Sequence, residues 1–166
     1  MPSTNDAVSV CFVCLGNICR SPTAEGLMLH LVAEAGLQDH IYIDSAGTSA
    51  YHIGEPADPR SQATASARGV ALPSVARQFE PDDLARFHYV IAMDRSNLRD
   101  LQRLRAPAGT SAIAELRLLR EFDPAAGGDF DVPDPYLGGK RGFDQVFEIC
   151  QRSCRKLLDH LIEAHR

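Results

Sequence analysis

Excess positive charge is missing from this chain: 17 lysines and arginines face 22 aspartates and glutamates, a formal charge of −5 over 166 residues. That balance argues against a general nucleic-acid footprint, while leaving room for a local positive pocket. No apolar run approaches the roughly 18 residues of a membrane span. The opening MPSTNDAVSV has neither a basic segment nor a long apolar core, so it does not read as a secretory signal. Internal repeats and low-complexity linkers are also lacking. Cysteine is present but odd in number, five in a chain large enough to build a core without staples. Reduced thiols in a cytoplasmic protein are the expectation. An apolar fraction of 45% and a charged fraction of 23% suit one globular domain over residues 1–166.

What is there is an alternation of apolar runs and helical stripes. VSVCFV (8–13) suits a buried strand. Ser21 and Pro22 then read as N-cap and first helical residue, ahead of a stripe at Ala24, Leu27, Met28, Leu31 and Ala35 that Gly36 closes. IYIDSAG (41–47) reads as a second strand, and a polar loop to Pro59 leads into a helix ending near Gly69. HYVIAM (88–93) reads as the third strand, with Asp94 capping the helix DRSNLRDLQRL. A fourth strand is expected within 114–122, followed by a loop rich in Pro, Gly and Asp from Asp123 to about Gly139. The last helix is expected from about Gly142, with Phe143, Val146, Phe147, Cys150, Cys154, Leu157, Leu158 and Leu161 on one side. Such alternation predicts an α/β fold, a parallel sheet covered by helices, with sites beyond the carboxyl ends of the strands. Cys14 is at such an end.

The stretch CLGNICRSPTAEG (14–26) therefore asks what a thiol and a guanidinium do at a helix entrance. An anion site with a nucleophile, a redox pair and a metal site are the candidates. For an anion, Gly16 permits close backbone approach, Asn17 tolerates a left-handed conformation, and a curled loop aims successive N–H groups inward. The helix adds the positive end of its dipole. Arg20 can grip two oxygens of one phosphoryl group with its planar fork. A thiol in that field loses its proton readily, and Ser21 is placed to donate a hydrogen bond to the thiolate. By itself Cys-x5-Arg-Ser also suits a buried cysteine and a surface arginine; the strand before and the helix after are the context this chemistry needs. Expelling an alkoxide or phenoxide from phosphorus also calls for an acid. Asp134 in DVPDPY is the candidate, restricted by Pro133 and Pro135 and placed for Tyr136 to shield it from water. Asp134-Pro135 equally well starts a turn.

The rival chemistries are less well equipped. Cys11-x-x-Cys14 lies partly inside the apolar run, and residues three apart on a strand point to opposite faces, so Cys11 is expected in the core. Cys150, Cys154, His160 and His165 fall on one helix, where a rise of about 1.5 Å per residue spreads them too far for one zinc ion. GGKR (138–141) fails the phosphate-loop pattern at Asp134 and Arg141, and no dinucleotide fingerprint follows the first strand.

VCLGNICRSPTAEG, IDSAGTSAYHIGEPADPRS, ARQF, AMDRSNLRDL and DVPDPY, in that order and nearly end to end, resemble the low-molecular-weight protein tyrosine phosphatases. The resemblance implies a four-stranded parallel sheet with helices on both faces and a metal-free cytoplasmic enzyme without cofactors. It further implies hydrolysis of phosphotyrosine and small aryl phosphates through a cysteinyl-phosphate intermediate. Cys14 would be the nucleophile, Arg20 the transition-state clamp, and Asp134 the general acid and then base. Leu15, Gly16, Asn17, Ile18, Cys19, Arg20 and Ser21 would cradle the phosphate, with Asn17, Ser21 and Ser45 supporting the loop. Tyr51 and Tyr136 would wall the substrate ring, and Cys19 would form a reversible, protective disulfide with Cys14. The implied partner is a phosphotyrosine-containing protein, and the chain would act as a monomer or weak dimer.

Departures from the family pattern bear on specificity and regulation. Tyr51 stands where many relatives have Trp, Leu137 where many have a second Tyr, and Ser74 where relatives often carry a His that braces the loop. Sibling arginine phosphatases usually have Thr at Ile18, which favours the tyrosine class. Arsenate reductases of this fold relay oxidation through mid-chain cysteines, and this chain has none between Cys19 and Cys150.

Overall fold

In the computed structural model, which describes residues 7–108, 112–136 and 138–165, the run VSVCFVC is buried at every position. It forms β1 (Val8–Cys14) and is followed by α1 (Arg20–Glu34), β2 (Ile41–Gly47), α2 (Pro59–Ser66), α3 (Asp83–Arg86) and β3 (Tyr89–Ala92). Then come α4 (Arg95–Ala108), β4 (Glu115–Leu118) with a 3₁₀ turn at Leu119–Phe122, and α5 (Lys140–Ala164). The four strands make one parallel sheet in the order β2–β1–β3–β4, with Cys14 opposite Gly47.

The pleat of β1 divides the core in two. Val10, Phe12 and Cys14 face a cluster built with Leu27, Met28 and Leu31 of α1 and Val146, Phe147, Cys150 and Leu157 of α5. Cys11 and Val13 face the other way, toward Leu84 of α3 and Leu101 of α4. Helices thus cover both faces, and Cys11 lies in the core away from Cys14, as its strand position predicts. Among the described residues no helix is long and apolar enough to cross a membrane.

Three local readings need correction. α1 begins at Arg20, so Ser21 is its second residue and caps nothing; its hydroxyl is engaged elsewhere. Ala35 is exposed at the C-cap, where Gly36 (φ 70°) allows the closing bonds Gly36 N–H to Ala33 O and Leu37 N–H to Val32 O. The four-residue α3 is too short for a helical period to reveal. Other elements sit where the pattern places them, including α4, whose cap Asp94 accepts the Asn97 N–H at 2.8 Å.

The long loop returns to the sheet's carboxyl edge through the Val132 N–H, which donates to Met93 O at 2.8 Å. Its start is anchored by buried Asp123, which receives Arg120 and two hydrogen bonds from Arg152 of α5. Asp134 is thereby carried back over the end of β1.

Candidate active site

Leu15 to Cys19 curl between β1 and α1, with Asn17 in the left-handed region at φ 58°. That conformation turns the Asn17 N–H onto Cys14 Sγ at 3.3 Å, while Ser21 Oγ meets the same sulfur at 3.0 Å. The Asn17 amide nitrogen donates to Ser21 Oγ at 2.8 Å and to Ser45 Oγ at 2.9 Å. Both amide hydrogens are then used, so the Ser21 proton is free to point at the sulfur and the Ser45 proton at Glu25. Asn17 Oδ1 accepts the Arg77 N–H at 3.1 Å. Losing this side chain would take one hydrogen bond each from Ser21, Ser45 and the Arg77 N–H, at about 0.5–1.5 kcal/mol each.

Arg20 is buried (3% exposed), and Nη1 is held from behind by Asp94 Oδ2 at 2.6 Å and Val132 O at 3.0 Å. Burial works against its charge, but Cys14, Asp94 and Asp134 hold the guanidinium more firmly protonated than usual. Asp94 thus caps α4 with one oxygen and fixes Arg20 with the other. No acidic side chain occupies the first turn of α1, so the positive end of its dipole is left uncompensated from within the helix.

Cys14, Leu15, Gly16, Ile18, Cys19 and Arg20 line a cavity of about 180 Å³ together with Tyr51, His52, Asp134 and Tyr136. A more open hollow of about 630 Å³ beside Gln62, Ser66 and Val70 has no titratable side chain in its lining. A Cβ at Gly16 would lie 2.9 Å from the His52 ring, so the glycine lets that imidazole rest against the loop. His52 in turn holds Nδ1 3.2 Å from Glu55. Tyr51 stands 78% exposed, making one rim of the cavity, and Tyr136 makes another.

Asp134 has one oxygen in a turn and the other toward the cavity. Oδ1 accepts the Tyr136 N–H at 3.0 Å, a turn contact, while Oδ2 lies 3.8 Å from Arg20 Nη2. Its side chain is 50% exposed, so Tyr136 does not shield it here: the ring is itself 43% exposed and stands at the rim. Asn17, Ser21 and Ser45 lie behind the loop, outside the cavity lining. The Ser74 hydroxyl is buried without a hydrogen bond, so it does not brace Asn17. Leu137 lies outside the described residues.

All five cysteines are free. Burial, and then the charge of Asp58, pushes the Cys19 thiol up to about 12. Burial does the same for Cys150, up to about 12, and raises Cys11 and Cys154. Among the described residues no three His, Cys, Asp or Glu side chains cluster as a metal site would require.

Asp94, His52 and Glu25 escape a reading of the sequence. Asp94 already has a cap to explain it, and His52 sits in a polar loop without a pattern. Glu25 looks like a surface charge on a helix, yet it is 7% exposed, and burial pushes its carboxyl up to about 7. Below the ordinary carboxylate range its contribution to stability is intact; it is lost as pH rises through about 7.

The family model for low molecular weight phosphotyrosine protein phosphatase matches residues 9–166. The chain is 49% identical over 150 residues to a low molecular weight protein-tyrosine-phosphatase of Streptomyces coelicolor, covering 90% of each. A protein tyrosine phosphatase from Entamoeba histolytica superposes with a TM-score of 0.87 at 34% identity, over 96% of this chain and 100% of that one. A Drosophila arginine phosphatase superposes with a TM-score of 0.86, also at 34% identity, over 92% and 96%.

Proposed function

The chain belongs to the low molecular weight phosphotyrosine protein phosphatase family, and on that premise we propose how its own residues hydrolyse phosphotyrosine and small aryl phosphates. The observation that carries the proposal is that Cys14, Arg20 and Asp134 line one small cavity at the start of a helix. Phosphate oxygens sit against the loop N–H groups and the free edge of Arg20, which Asp94 has already oriented. The Cys14 thiolate, steadied by the Asn17 N–H and the Ser21 hydroxyl, attacks phosphorus as the ester bond breaks. Asp134 gives its proton to the departing oxygen. It then takes one from the water that attacks the cysteinyl-phosphate, releasing inorganic phosphate and restoring the thiolate.

Tyr51 and Tyr136 flank the substrate ring, and Ile18 favours phosphotyrosine over phosphoarginine. The natural substrate is a phosphotyrosine-containing protein of the cytoplasm, met by a monomer or weak dimer. Once a peroxide has oxidised Cys14 to a sulfenic acid, Cys19 condenses with it to a disulfide and water is lost; before that, burial keeps the Cys19 thiol protonated and out of the phosphoryl transfer.

Turnover of p-nitrophenyl phosphate and of a phosphotyrosine peptide is expected to survive excess EDTA and to be blocked by alkylation of Cys14, with inorganic phosphate protecting. Loss of activity with EDTA at intact folding, or preference for a phosphoarginine peptide, would overturn the proposal.

Arg20→Lys is expected to lose at least about 10²-fold in kcat/KM. A lysine has one point charge; it cannot bond Asp94 and Val132 from one side and two phosphoryl oxygens from the other. A near-native lysine variant would remove Arg20 from the mechanism.

A further inference from the structure

Glu25 is a buried carboxyl that the mechanism above leaves without a task. It lies on α1 one turn beyond Ser21, facing β2, where Ser45 Oγ donates to its Oε1. Ser45 receives one Asn17 amide hydrogen at 2.9 Å, Ser21 receives the other at 2.8 Å, and Ser21 meets Cys14 Sγ at 3.0 Å. Four hydrogen bonds therefore run without a gap from a buried carboxyl to the sulfur.

The surroundings of Glu25 do not neutralise it. Among the described residues it makes no ion pair, and Asp44 of β2 adds a second negative charge nearby. Arg77, the cation that acts on it, gives its guanidinium to Asp44 and Asp83, each at 3.0 Å. Ser74 stands close enough to favour its charge slightly, but the buried Ser74 hydroxyl makes no hydrogen bond of ordinary geometry. Only the protonated acid has an O–H to offer.

Resting on the phosphatase reading, we propose that Glu25 is a positioning residue whose protonation state, coupled through Ser45, Asn17 and Ser21, sets the stability of the Cys14 thiolate. With Glu25 neutral, the thiolate is the one buried negative charge at its end of the chain, and Ser21 donates to it fully. When Glu25 releases its proton to water, two negative charges share one hydrogen-bonded chain in a medium that screens poorly, and each destabilises the other. Burial places that change near neutrality, where the carboxyl is pushed up to about 7. The enzyme's nucleophile is then best supported on the mildly acidic side. A positively charged partner at position 74 would remove the effect by holding Glu25 ionised throughout.

Coupling of this kind is reciprocal, so each group reports on the other. Carbon-13 carboxyl NMR of the intact protein is expected to find Glu25 titrating near neutrality, and titrating at lower pH in Cys14→Ser, where the sulfur charge is gone. Thiolate absorbance in the ultraviolet reads the other side. Glu25→Gln is expected to raise the thiolate-to-thiol ratio about tenfold at mildly alkaline pH, the effect of one charge felt through a partly screened interior. Ser74→His is expected to draw the Glu25 midpoint back toward the ordinary carboxylate range. Neither readout needs turnover, so an inactive protein that shows the coupling would sink the phosphatase reading and leave this one standing. A Glu25 midpoint in the ordinary range, or one unmoved by Cys14→Ser, overturns the proposal even if Glu25→Gln fails to fold.

Discussion

Cys14→Ser is expected to hydrolyse aryl phosphates at least about 10⁴-fold more slowly than the unmodified enzyme. The geometry around Sγ is built for an anion: it takes an N–H from Asn17 and a hydroxyl from Ser21. A serine hydroxyl would need to lose a far more tightly held proton before it could attack, and among the described residues no base is hydrogen-bonded at that position. Binding should change in the opposite sense. The loop N–H groups, the start of α1 and Arg20 all remain, while the negative charge that repels the incoming phosphate is gone. Calorimetry is expected to show inorganic phosphate bound at least as tightly as by the parent. Substantial turnover in this variant would mean that another residue attacks phosphorus.

The second large effect separates an acid from a turn residue. With phenyl phosphate, whose leaving oxygen is strongly basic, Asp134→Ala should lose on the order of 10²–10⁴ in kcat/KM. With p-nitrophenyl phosphate the departing phenolate is already stable, so the loss should be smaller. The geometry suits both roles, since Oδ1 holds the Tyr136 N–H while Oδ2 lies by Arg20 at the cavity. Asp134→Asn keeps the turn contact and removes the acid, and it should share the leaving-group dependence. If Asp134 also serves the hydrolysis of the intermediate, as proposed, a pre-steady-state burst of nitrophenolate is expected in the variant. Equal slowing on both substrates would make Asp134 a residue that shapes the loop, and the acid would have to be sought elsewhere in it.

The parts of this site that lie close in sequence were legible in it. Cys14, Asn17, Arg20 and Ser21 fall within one turn whose chemistry follows from side-chain type and from the strand and helix around it. Ser45 and Tyr51 are far from that turn in sequence, and resemblance named them; Asp134 stands out as a candidate acid between two prolines, and the crossing of the long loop over β1 explains how it arrives. The start of α1 was misplaced because Ser-Pro is an ordinary capping signal, and nothing local announces that the Ser21 hydroxyl is taken by a sulfur. Asp94 was half seen, since one adequate role conceals a second. Glu25 was invisible for a different reason: helical spacing says which side a residue is on, not that the polar residues of a neighbouring strand have come to meet it. The sheet was read more easily, because its strands are short apolar runs bounded by turn residues.

The placement of β1 between β2 and β3 gives the two halves of the chemistry unequal lifetimes. Freeing the cysteine end of that strand means breaking a ladder on either side, so the phosphate cradle belongs to the part of the molecule that opens last. Asp134, the proposed acid, rides on a loop joined to the sheet edge through Val132 and is half open to water. As heat or denaturant loosens the molecule, the loop is expected to let go first. The enzyme would then pass through a stage in which it still captures phosphate and still forms the proposed bond to sulfur, but only with the most willing leaving groups. Its discrimination among substrates would sharpen just before its activity disappears.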